Sequence, residues 1–329
     1  MVRGGSPVAG TADRPALQPG GRAGATCGRV RFVRSFGRRL RALVQDVVSS
    51  LRGHDLLFYA AGLTFYAAIA LIPLMLITLW LVGVLIGPDA VRRLALPVAA
   101  LLPRNNGARA AAQALVQAAA ALPFVAVIAS IVPGTLYGEG LARAFDRLSG
   151  TAGTRAHGLR GRISLLAVLW LLPLLALAAL IVGRGIMSAV GTGTGGGTGR
   201  IVLGVYLTFL VGWLTLTALL VVVYRAFGSA RPRPRALLWA AAATGSFVAG
   251  SSLGYVLFLG IRVDIGIAYG GSTPAAAVAI AALFLYLEHI VVLAGYVLVL
   301  RLDVRGGRPL APSPVRILAP DQARFAVRG

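Results

Sequence analysis

Six long apolar runs, parted by short polar stretches, fill the chain between residues 56 and 300. They cover residues 56–86, 121–142, 163–183, 201–223, 236–261 and 274–300. A helix needs about 20 mostly apolar residues to cross a bilayer core of about 30 Å, and each run is long enough. A continuous apolar run that satisfies its own backbone amides in lipid is a helix. The expected fold is therefore all-α: a polytopic membrane protein with six transmembrane helices within residues 54–303.

Ahead of the first span the pattern changes. Over residues 29–53, Val33, Phe36, Leu40, Leu43, Val44, Val47 and Leu51 recur at helical spacing, while Arg31, Arg34, Arg38, Arg41 and Arg52 fall on another face. This predicts an N-terminal amphipathic helix, either lying in the membrane interface or packed on the span ends. Residues 1–28 and 304–329 are Gly-, Pro- and Arg-rich without an apolar run. They read as disordered tails, and the first lacks the apolar stretch of a signal peptide. Residues 87–120 form an outer connection in which the alanine-rich stretch from Ala108 looks helical.

Charge assigns the sides. Only 13% of residues are charged against about 25% in soluble domains, which excludes a soluble enzyme. The net charge is +22, and all 32 basic residues are arginine. Twenty-five of them lie on the side of the two termini and seven on the other. This bias predicts cytoplasmic termini and an even number of spans. The expected partners are membrane lipids, including anionic headgroups at the cytoplasmic face. No recognition module accompanies the charge, so no nucleic acid is expected. Oligomeric state is not encoded in any pattern found. Cys27 is the single cysteine, and His54, His157 and His289 have no ligand-spaced partners, so neither a metal nor another cofactor is expected. The 191–200 loop, GTGTGGGTGR, lacks the lysine of a phosphate-binding loop and reads as a flexible linker.

Several residues interrupt the apolar runs. Pro73 in the first span and Pro133-Gly134 in the second predict kinks or breaks, candidate gates. Ala60, Thr64 and Ala68 form a small-residue stripe suited to close helix contact. Glu139 and Arg143 have the spacing of a helical ion pair. His54-Asp55 reads as the start of the first span rather than a hydrolytic dyad.

Glu288 stands near the middle of the last span, roughly 20 Å by helical rise from its Arg301 end. An ionisable group at that depth costs at least about 2.5 kcal/mol. With His289 beside it, Glu288 is a candidate intramembrane polar site, moving a proton in a path between the first and last spans. The alternative is structural: a neutral Glu288 bonded to a hydroxyl such as Tyr66 or Tyr255.

The stretch Ala60-Ala61-x-Leu63-x-Phe65-Tyr66-x-x-x-x-Leu71-x-Pro73 resembles the first-span signature of the YihY/BrkB family of bacterial inner-membrane proteins. Leu101-Leu102-Pro103, Ala144-Phe145-Asp146, Tyr269-Gly270 and Leu293-Ala294-Gly295 are similar to the family in order and spacing. The resemblance covers residues 35–303 and implies a six-helix protein of the bacterial cytoplasmic membrane. The family was once labelled a ribonuclease, but this chain lacks clustered metal ligands and is expected not to be an enzyme. Where the family carries Gly-Ala-Glu, this chain has Gly295-Tyr296-Val297. Glu288, nine residues earlier and so roughly 900° around the helix, is not a relocation of that glutamate. The leading expectation is a transporter or lipid-handling permease. A non-catalytic scaffold of envelope assembly is the alternative, and an intramembrane enzyme the third.

Overall fold

The computed structural model describes residues 56–104, 107–150, 155–191, 198–261 and 265–305, together with Gln45. The predicted amphipathic helix apart from Gln45, residues 1–28 and 306–329 of the tails, His54-Asp55 and most of the glycine-rich loop lie outside the described residues. Among those described there are eight α-helices and no strand. They are α1 (Leu56–Ile86), α2 (Pro88–Ala99), α3 (Ala108–Ala120), α4 (Phe124–Leu148), α5 (Arg155–Gly191), α6 (Thr198–Phe227), α7 (Pro234–Leu259) and α8 (Thr273–Arg305). Six of them, all but α2 and α3, are long and apolar enough to cross a membrane.

These six pack as a closed ring in the order α1, α4, α5, α6, α7, α8, with α8 returning to α1. Successive helices run in opposite directions. One end of the ring therefore collects Arg143, Arg147, Arg160, Arg162, Arg225 and Arg301, and is called the basic end below. The short helices α2 and α3 pack on α1 and α5 at the other end through Val91, Ala95 and Val116. Large apolar side chains such as Phe58, Phe65, Trp170, Trp239 and Phe247 cover the outside of the ring, as lipid contact requires.

Lipid is as apolar as a leucine core, so helix association here rests on close packing rather than on escape from water. Small residues provide it. A Cβ on Gly138 would stand 2.8 Å from the Gly161 carbonyl oxygen, so α4 and α5 meet nearly backbone to backbone. On α1 the buried stripe is Ala60, Thr64 and Ala67, while Ala68 is exposed. A four-residue repeat drifts about 40° per step on a helix of 3.6 residues per turn, so the expected stripe had to shift by one residue. Thr64 and Thr244, both buried, donate their hydroxyls to the Ala60 and Ala240 carbonyls at 2.8 Å, which satisfies them without water.

Neither proline breaks its helix. α1 runs through Pro73 and α4 through Pro133 without interruption. The expectation of broken helices at these positions is corrected: the helical path is continuous, and in a membrane bundle the carbonyl freed by proline is tolerated. The helices also outrun the apolar runs. α5 extends well beyond 163–183, because hydrogen bonding continues past the first arginine although hydropathy does not.

The α7–α8 connection ends in a 3₁₀ turn, Ile267–Tyr269, followed by Gly270 and Gly271 at φ 62° and 86°. That left-handed geometry favours glycine and turns the chain into α8.

Candidate functional site

All six spanning helices line a cavity of about 500 Å³ that is partly open, with Leu71 and Met75 exposed at its edge. Leu74 and Thr78 of α1, Leu172 of α5 and Leu219 of α6 are representative of its wall, and Val248 of α7 and Val292 of α8 complete it. No charged residue lines it. Thr78 turns its hydroxyl to the Leu74 carbonyl at 2.7 Å, and Tyr137 directs its own toward α8. The space is a hydrocarbon chamber.

Toward the basic end packs an aromatic cluster, called the aromatic floor below, although Phe227, further along α6, still lines the cavity itself. Phe145, Tyr224 and Tyr296 each lie one turn beyond a lining residue, namely Leu141, Leu220 and Val292. All three are fully buried. Phe145 stacks on Tyr296 with centroids 4.1 Å apart, and Tyr224 packs against both rings. Tyr224 donates to the Val292 carbonyl at 3.0 Å. Gly295 makes this floor possible, since a Cβ there would stand 2.1 Å from Thr244 Oγ1 and 2.3 Å from the Tyr224 hydroxyl. At the opposite end lies the cluster of Val82, Val91, Ala95 and Val116, against which Leu79 and Ala176 of the wall also pack.

His289 is buried behind the wall. Its Nδ1 donates to the Leu285 carbonyl at 2.6 Å, which leaves Nε2 to accept from the Tyr137 hydroxyl at 3.2 Å. The rings meet edge to face at 5.8 Å.

Glu288 turns the other way. The Ser251 hydroxyl of α7 donates to its Oε1 at 2.5 Å, while Oε2 is shielded from solvent without a hydrogen-bond partner. The pair lies in the α7–α8 seam, one turn from Val248 and Val292 and away from the aromatic floor. The hydroxyl partner expected on Tyr66 or Tyr255 is thus replaced by Ser251. Tyr255 instead stacks on Phe284 at 4.4 Å. Glu288 and His289, adjacent and so about 100° apart on α8, engage different helices, α7 and α4. The first and last spans, α1 and α8, pack together and both contribute to the cavity wall, from which Glu288 is absent.

The remaining sequence candidates fall into place around the chamber. Pro73 lies between the lining residues Leu71 and Leu74. Gly134, beside Pro133, admits Leu74 so closely that a Cβ would approach it to 2.8 Å, so this pair serves helix contact rather than a break. Ala60 is fully buried in the main core, whereas Phe65 and Tyr269 are exposed. Tyr66 lays its ring on Gly140 of α4. Val297 is buried in the apolar core.

The Glu139–Arg143 pair is present but incomplete as expected. Glu139 also accepts from Arg162 Nε of α5 at 2.7 Å, so it joins two helices. A second hollow of about 530 Å³ opens beside this cluster.

Sequence reading missed Tyr137, Ser251 and Arg162 as partners. For Ser251 a signal existed: it lies 17 residues from Pro234 and Glu288 lies 17 from Arg305, so antiparallel helices place both at one depth. Tyr137 and Arg162 carried no such signal, because their partners are set by which helices become neighbours. Among the described residues, no group of three His, Cys, Asp or Glu could hold a metal.

The profile of the family described as Virulence factor BrkB matches residues 47–315. No curated protein and no solved structure matches the chain.

Proposed function

The chain belongs to the BrkB family of membrane proteins, and from that premise we propose that it is a lipid-handling permease. The observation that carries the reading is the apolar chamber of about 500 Å³, lined by all six spans and open on the side of Leu71 and Met75. Ions and sugars need polar partners along their route, and this wall offers almost none. An acyl chain needs none, and its methylenes gain dispersion contacts against leucine, valine and threonine methyl groups. The substrate class is therefore a lipid chain. The arginine bias supports the cytoplasmic membrane as its location, with both termini inside. The reading is non-catalytic, and it calls on no cofactor and no nucleic acid.

A photoactivatable phospholipid, carrying its reactive group on the acyl chain, tests it in reconstituted full-length protein. Crosslinks on Leu172, Leu219 or Val223 support a chain in the chamber. Crosslinks confined to outward residues such as Trp170 and Phe247 reject it.

A scaffold role is the second reading. One observation favours it: Glu288 Oε2 is shielded without a partner, a dry setting suited to fixing α7 on α8. A protein that never admits lipid but binds an envelope protein would meet that reading.

A further inference from the structure

We propose that the groove between α1 and α4 at the basic end binds one anionic phospholipid, headgroup and upper acyl chain together. The site is separate from the interior chamber, with which it shares no lining residue, and it stands whether or not that chamber carries lipid.

The groove has a volume of about 530 Å³ and two unlike walls. One is cationic. Glu139, whose side chain is 15% exposed, holds the guanidinium groups of Arg143 and Arg162 together at the groove. Arg143 reaches Glu139 through one terminal nitrogen, and Arg162 through Nε and one terminal nitrogen. Each keeps donors turned to no part of Glu139. Two arginines against one carboxylate leave one positive charge, matched to a phosphodiester monoanion. Their positions are already fixed, so binding orders little new.

The other wall is apolar. Tyr59, Leu63 and Leu136 line it, and the Tyr66 ring lies against Gly140. Gly62 bares the backbone of α1, and a Cβ placed there would meet nothing within 4 Å. Free phosphate would use only the arginines and leave this wall unfilled. A phospholipid uses both, with its glycerol near the first turns of α1. The exposed Phe58 at the edge marks that level, where aromatic residues gather in membrane proteins.

The test uses full-length protein in nanodiscs of phosphatidylcholine alone or mixed with phosphatidylglycerol, with retained lipid counted by native mass spectrometry. Wild type is expected to retain one phosphatidylglycerol in preference to phosphatidylcholine, and excess inorganic phosphate should not displace it. Arg143→Gln, at a side chain 67% exposed, should weaken retention about tenfold, the scale of one charge-assisted contact. Gly62→Leu should fill the groove and weaken it by at least as much. If Gly62→Leu fails to fold, Arg143→Gln alone decides. Equal retention of the two lipids, displacement by inorganic phosphate, or unchanged retention in Arg143→Gln would overturn the proposal. Chamber crosslinks that persist while this retention is absent reject the groove and leave the permease reading standing.

Discussion

Tyr137 of α4 and His289 of α8 join across the interior through a hydrogen bond of 3.2 Å, although α4 and α8 are not successive in the ring. The bond ties the second span to the last. Tyr137 is at once a wall residue and the hydrogen-bond partner of His289.

Replacing Tyr137 by Phe keeps the ring contact and leaves His289 Nε2 without a donor. Stability should fall by about 1–3 kcal/mol, the cost of an unsatisfied buried polar group. His289→Leu together with Tyr137→Phe should recover part of that loss, because both partners then become apolar. Thermal unfolding of the four proteins in one detergent gives the coupling, with about 0.5–1.5 kcal/mol expected for a bond inside a membrane bundle.

Gly295→Ala should be among the most damaging single-methyl changes in the chain. The new Cβ would overlap Thr244 Oγ1 and the Tyr224 hydroxyl, both held in the aromatic floor. A loss of about 1–3 kcal/mol or more is expected from overpacking. Gly62→Ala is the control. It sits in open space on a helix, so it should be neutral or stabilising by up to about 1 kcal/mol. Melting temperatures of the two variants in the same detergent check the contrast.

Phe145→Ala should remove the ring stacked on Tyr296 and open the floor of the chamber. A cost of about 3–5 kcal/mol is expected for a fully buried aromatic, read from loss of helical signal on heating. Phe145→Leu should retain more than half of that stability, since it refills most of the gap.

Glu288→Gln should preserve both fold and lipid transfer. The amide still bonds the Ser251 hydroxyl across the α7–α8 seam, and the chamber wall is untouched. Stability within about 1 kcal/mol of wild type is expected. Glu288→Ala removes the bond and should cost about 1–3 kcal/mol. A Gln variant that is fully stable yet inactive in liposomes would return Glu288 to the proton-relay role that its depth first suggested.

The spans were legible in sequence because an apolar run long enough to cross lipid has few other physical solutions. Glu288 and His289 were legible as exceptions for the same reason. Their partners were not. Which helices stand side by side depends on small-residue contacts such as Gly138 against Gly161, which no single-segment pattern reveals. That is why Glu288 was expected to face a tyrosine and meets Ser251, and why the chamber appeared only once six faces were assembled. The prolines marked no helix end, because a single missing backbone hydrogen bond inside a long apolar helix leaves the path continuous. Tyr296 had an overlooked signal: an aromatic beside Gly295, at helical spacing from Val292, matched by Phe145 in a motif already singled out.

Transfer of fluorescent phospholipid between leaflets of protein-containing liposomes tests the permease reading most directly. Wild type should accelerate transfer over empty liposomes. Thr215→Phe and Val248→Phe, which put bulk into the chamber from two helices, should return it to near the empty-liposome rate while melting close to wild type. No acceleration by wild type, or undiminished transfer in well-folded filled variants, would contradict a lipid route through the ring.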